Sequence, residues 1–84
     1  MYKNMKIEIT DEVHLNAVCD VLKTMGFVKS MSNGVTGFIY TFIDGSYRID
    51  MNHQPVFDHI PYTNLTDLLS LRDKHFMEKL NAAD

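Results

Sequence analysis

Residues 38–51, FIYTFIDGSYRIDM, decide the fold that this sequence predicts. The pair Asp44-Gly45 is typical of a two-residue type I′ loop between antiparallel strands. Such a loop would place Tyr40 opposite Ile49 and would put the aromatic and apolar residues on one face. That face would carry Phe38, Tyr40, Phe42, Tyr47, Ile49 and Met51. The sequence therefore predicts a β-hairpin with a core side and a mixed reverse side.

A strand and a helix precede this hairpin. Apolar and polar residues alternate from Met5 to Ile9, which predicts a half-buried strand, and Thr10 offers a cap to the helix that follows. An apolar stripe runs along residues 11–25 and predicts a helix. Gly26 is the expected stop, with Phe27 folding back on the last turn.

The rest of the chain predicts two further strands, an irregular connection and a second helix. Residues 27–31 and 35–43 read as strands that form a meander, and residues 52–62 read as a proline-containing connection. Asn64, with Asp67 three residues later, is typical of a helix start, and this helix should run to about Leu80. Its expected buried stripe is Leu65, Leu68, Leu69, Phe76 and Leu80.

These elements predict one α+β domain over residues 1–84. The order is βαβββα, and we expect a four-stranded, mostly antiparallel sheet with two helices packed on one face. A chain of 84 residues has room for one apolar layer but hardly for a deep, enclosed substrate pocket.

The composition and net charge of the chain disfavour several classes of function. The net charge of −3 disfavours nucleic acid as a partner, and no apolar run is long enough to cross a membrane. The single cysteine, Cys19, excludes an intramolecular disulfide and fits a reducing compartment. With no apolar leader at the N-terminus, the sequence predicts a soluble cytoplasmic protein, and it indicates no cofactor.

The closest set of imidazoles and carboxylates lies at the end of the fourth strand and in the loop after it. Asp50, His53, Asp58 and His59 are residue types that bind transition metals or act as general acid and base. Their spacing matches no compact ligand motif, so ordinary loop residues are the favoured interpretation, and no catalytic residue is assigned. The metal candidates are His53, Asp58 and His59.

The reverse side of the hairpin is the favoured contact surface. Ile39, Thr41, Ile43 and Arg48 would lie there, with large β-branched side chains exposed to a partner. The alternative is that the N-terminal residues or residues 52–62 fold across this face. An outer strand could also recruit a partner strand through its unpaired backbone groups.

These observations favour a small non-enzymatic protein-interaction module that regulates or inhibits a partner protein. A homodimer is the alternative to binding a different protein. The first alternative is a small dimeric enzyme or metal binder centred on residues 50–59. The second is a single-stranded nucleic-acid binder that stacks bases on Phe38, Tyr40, Phe42 and Tyr47. Short length, six methionines and the lack of a catalytic motif give the general look of a phage or mobile-element accessory protein.

Overall fold

The strands and helices follow the predicted order along the chain. A computed structural model describes residues 2–83. Its elements are β1 (Met5–Ile9), α1 (Glu12–Thr24), β2 (Val28–Asn33), β3 (Gly37–Thr41), β4 (Ser46–Asp50), a 3-10 turn (Pro55–Phe57) and α2 (Leu65–Ala83). The α+β class and the βαβββα order are therefore confirmed.

The four strands form one mixed sheet in the order β1-β3-β4-β2. The β1–β3 and β3–β4 pairs are antiparallel, whereas β2 and β4 are parallel. The predicted meander is wrong, because β2 lies beside β4 and not beside β3. α1 carries the chain from one edge of the sheet to the other, and the β3–β4 hairpin fills the space between β1 and β2.

The hairpin loop has three residues, Ile43 to Gly45, and not two. The amide of Gly45 donates to the carbonyl of Phe42 at 3.0 Å, and the amide of Phe42 donates to the carbonyl of Ser46 at 3.0 Å. A type I′ loop needs positive φ at both central residues, but among the described residues only glycines have it. Asp44 keeps a negative φ, and its carboxylate instead accepts the amide of Ser46 at 2.9 Å. The result is a type I turn followed by a left-handed glycine, Gly45 at φ +88°.

This loop shifts the β3–β4 register by one residue from the predicted one. Ile39 lies opposite Ile49, and Thr41 lies opposite Tyr47. Because side chains alternate between the two faces, a shift of one residue exchanges the faces. The prediction that Tyr40 shares a face with Ile49 is therefore wrong.

The core lies on the face of the sheet that carries Ile7, Ile39 and Ile49. Its buried side chains form one cluster: Met5, Ile7, Ile9, Leu15, Val18, Val21, Leu22, Met25, Phe27, Ile39, Tyr47, Ile49 and Leu68. α1 supplies four of them, whereas Leu68 is the only fully buried member from the described side chains of α2. The packing of both helices on one face therefore stays a prediction.

α1 ends as its sequence predicts. The amide of Phe27 donates to the carbonyl of Leu22 at 3.0 Å, and the amide of Gly26 donates to that of Lys23 at 3.0 Å. These two bonds define a Schellman motif, with Gly26 left-handed at φ +98°. At the other end Asp11, one residue after the predicted cap, accepts the amide of His14 at 2.8 Å.

α2 begins as predicted but buries less of its length. Asn64 accepts the amide of Asp67 at 2.8 Å, which is the expected cap. Phe76 and Leu80 are 41% and 64% exposed, so their assignment to the buried stripe is wrong. The helix extends past the core cluster, and the second half therefore presents apolar side chains to solvent.

Tyr47 introduces a polar atom into the core. Its side chain is fully buried, and its hydroxyl has no hydrogen-bond partner among the described residues. Burial raises the pKa of Tyr47 to about 12. Burial also raises the pKa of the neighbouring Cys19 thiol, so both groups favour their neutral forms in the folded chain.

Gly37→Ala should destabilise the chain more than Gly34→Ala. Both glycines have positive φ, which costs an L-residue roughly 1–2 kcal/mol. A Cβ on Gly37 would also lie 2.3 Å from the backbone oxygen of Asp50, whereas the nearest atoms to one on Gly34 belong to the exposed side chain of Met51. Chemical denaturation should give a loss of roughly 2–5 kcal/mol for Gly37→Ala. Equal losses for the two variants would contradict the close approach.

Tyr47→Phe should make the chain less sensitive to alkaline pH. Above pH 10 the unfolded tyrosine loses its proton, while the folded one keeps it until about pH 12. The unfolded state then binds fewer protons, so the free energy of unfolding falls between these values. Urea denaturation at pH 8 to 11 should show a shallower fall for Tyr47→Phe, and Tyr62→Phe, at an exposed tyrosine, should keep the original slope.

Candidate functional site

The four predicted contact residues do not form one surface. Ile39 and Thr41 are fully buried on the core face, and the hydroxyl of Thr41 donates to the carbonyl of Lys3 at 2.8 Å. Ile43 lies in the hairpin loop and is exposed. Arg48 lies on the opposite face of the sheet. The shift in register separates them, since it moves the β-branched residues of β3 into the core.

The guanidinium group of Arg48 makes contacts within the chain. Its Nε donates to the carboxylate of Asp50 at 2.6 Å, and the side chain of Asp50 is only 2% exposed. The guanidinium carbon also lies 5.5 Å from the centre of the Phe57 ring. Arg48 therefore neutralises a buried carboxylate in this face of the sheet.

Residues 53–62, which we call the covering segment, lie across the face of the sheet that is opposite the core. This face carries Tyr40 and Phe42. The ring of Phe57 lies 4.8 Å from that of Tyr40 and 5.4 Å from that of Phe42, measured between centroids. The amide of Gln54 donates to the hydroxyl of Tyr40 at 3.1 Å. The alternative expected from the sequence has this loop covering the face of Ile39 and Thr41, but the loop covers the opposite face, because the shift in register exchanges the two faces. Tyr40 is fully buried and presents no open ring for base stacking.

The predicted imidazole and carboxylate group comes together only in part. His53 Nε2 lies 2.6 Å from Asp58 Oδ1, and both side chains are exposed. Asp50 pairs with Arg48 instead, and His59 is exposed without joining the pair. Within residues 2–83, no three histidine, cysteine, aspartate or glutamate side chains lie close enough to share a metal ion.

The two edges of the sheet differ in how their backbone is satisfied. On β1, the amide of Lys6 donates to the carbonyl of Pro61 at 3.0 Å, and the amide of Thr63 donates to the carbonyl of Lys6 at 2.8 Å. Residues 61–63 therefore cap the β1 edge. β2 pairs with β4 on one side, and no other strand of the described chain pairs with it. Its outer side is the open edge.

The side chains of β2 suit an edge that remains accessible. All six residues of Val28–Asn33 are exposed, and three of them are small polar residues: Ser30, Ser32 and Asn33. Val28 and Met31 add apolar surface. Lys29 is the only charged residue between Thr24 and Ile43.

A bulge interrupts β2 at Ser30. The register with β4 shifts between Lys29 and Met31, and the hydroxyl of Ser30 donates to the carbonyl of Tyr47 at 3.1 Å. Bulges and edge lysines are common ways of preventing uncontrolled edge-to-edge association. A partner strand can therefore reach the open edge, but the bulge makes the edge irregular at Ser30.

Sequence reasoning identified an outer strand as one contact mode but could not say which strand it was. The residues VKSMSN lack the alternation of apolar and polar positions that marks a half-buried strand. That lack of alternation was the available signal for an exposed edge. Among residues 2–83, neither helix is sufficiently long and apolar to cross a bilayer.

Replacing Arg48 should destabilise the fold, because Arg48→Met would leave the carboxylate of Asp50 buried without its partner. Removing one member of a buried ion pair is costly, and for this partly exposed arginine we expect a loss of roughly 2–4 kcal/mol. The double variant Arg48→Met/Asp50→Leu should recover most of that loss in thermal and chemical denaturation. Arg72→Met removes a pair whose carboxylate, on Asp73, is exposed to solvent, and it should cost less than about 1 kcal/mol. An unchanged stability for Arg48→Met would contradict this structural role.

Comparisons with known proteins gave no match for this chain. No protein-family model matches it. No curated protein and no solved structure matches it either.

Proposed function

We propose that this chain is a protein-interaction module that regulates or inhibits a partner protein by accepting one of its strands at the open edge. The observation that carries the proposal is the contrast between the capped β1 edge and the uncapped β2 edge. An open edge presents a row of backbone donors and acceptors that an extended segment can satisfy. The single cysteine, half-buried with a raised pKa, fits a protein that works in the reducing cytosol.

The occupant we propose is an extended segment of another protein. Small side chains at three of the six β2 positions leave room on the two faces of the sheet for the side chains of the partner strand. Because Lys29 is the only charge along this stretch, an acidic side chain opposite it would be favoured. Apolar side chains of the partner would contact Val28 and Met31.

The apolar surface continues beyond the end of β2. Gly34 follows the strand, and the side chain of Met51 lies directly against it. Met51 and Val35 are each 54% exposed. A six-residue strand pair alone makes a small, transient interface. Contacts with these two residues would enlarge it and give specificity beyond the backbone bonds.

The test compares three exposed valines that lie on three different surfaces. Val28 in β2, Val13 in α1 and Val56 in the covering segment are 69%, 80% and 69% exposed. Each is changed to lysine, and each variant is used to capture proteins from extract of the native cell after nuclease treatment. Mass spectrometry identifies a stoichiometric partner, and amide hydrogen exchange of the purified complex locates the contact.

Val28→Lys should weaken capture about tenfold, because it replaces an apolar side chain that would contact the partner with a charged one. Val13→Lys and Val56→Lys should bind like the unmodified chain. In the complex, amides of residues 29–33 should exchange more slowly than in the free chain. The proposal is wrong if the protected amides lie elsewhere, if all three variants bind equally, or if no partner is captured.

A further inference from the structure

A cleft of about 210 Å³ lies where the start of β1, the end of α1 and the middle of α2 meet. Met5, Met25 and Leu71 supply apolar side chains to its lining. The two methionines are almost fully buried, and Leu71 is half-buried against the core cluster. Methionine side chains adapt their shape to what they contact, so this lining can receive an apolar group.

The polar lining of the cleft has an excess of positive charge. Lys3 and Lys74 each bring an exposed ammonium group, and Glu78 brings one carboxylate. Neither lysine forms an ion pair within residues 2–83. The chain as a whole carries a net charge of −3, so two unpaired lysines beside one carboxylate make this a locally positive site.

His75 adds a further polar group to the cleft. Its Nδ1 is buried and has no hydrogen-bond partner among the described residues. Buried polar atoms in folded proteins nearly always have a partner, either in the protein or in ordered water that a ligand can displace. The imidazole therefore offers a hydrogen bond that the described side chains leave unused.

We propose that this cleft binds a small amphipathic organic carboxylate. The carboxylate would lie between Lys3 and Lys74, and a short apolar tail would contact Met5, Met25 and Leu71. The volume of about 210 Å³ is below the roughly 300–1,000 Å³ typical of sites for drug-sized ligands, so the tail must be short. The site lies by the β1 edge of the sheet and is separate from the open edge of β2.

The first test is a titration of the isotope-labelled chain with hexanoate, followed by two-dimensional ¹H–¹⁵N NMR. Saturable shifts are expected in amides of residues 3–5, 25 and 71–78. Hexan-1-ol has the same tail without the charge, and hexylamine carries the opposite charge. Both should bind more weakly than hexanoate. Equal binding of hexan-1-ol, or shifts that do not saturate, would overturn the proposal.

Three charge variants test both the direction and the size of the expected change in hexanoate affinity. Lys74→Gln should weaken hexanoate binding by about two- to fivefold, as for an ion pair near the surface. Glu78→Gln should strengthen it by a similar factor, because it removes the carboxylate that repels the ligand. Lys29→Gln, at an exposed lysine in β2 that does not line the cleft, should leave binding unchanged. A loss on Glu78→Gln, or equal effects of Lys74→Gln and Lys29→Gln, would show that hexanoate does not bind here.

Discussion

The register between β3 and β4 is the constraint on which the rest of this structure depends. Gly45 adopts a left-handed conformation after a type I turn, and the carboxylate of Asp44 holds the amide of Ser46. This loop places Ile39 opposite Ile49 on the core side. The β1 register follows, because Ile7 then lies beside Ile39 and completes an apolar surface for α1.

The same register creates a second buried layer on the reverse side. Tyr40 and Arg48 lie opposite each other and away from the core cluster. Phe57 of the covering segment packs against both of them. Asp50 is buried in this layer, so Arg48 serves the fold by neutralising a carboxylate that water no longer solvates. Because both faces of the sheet are covered by other parts of the chain, a partner strand would bind at an edge of the sheet.

The two proposed sites use different chemistry in different parts of the sheet. The open edge would bind through backbone hydrogen bonds, with Lys29 selecting an acidic neighbour. The cleft beside β1 would bind through two ammonium groups around an apolar lining. No residue of β2 lines the cleft, so variants of the open edge and variants of the cleft can be tested separately. A result that contradicts one proposal therefore leaves the other unaffected.

Local signals in the sequence determined the elements and their ends. Gly26 and Asn64 act within one turn of their own helices, so their signals need no distant contact. Only the tertiary structure decided the hairpin register and the partner of β2. A loop of two residues and one of three both suit an Asp-Gly pair, and packing of Ile39 beneath α1 selects between them. The place of β2 depends on where α1 crosses the sheet, which is a long-range contact that no local pattern in VKSMSN encodes.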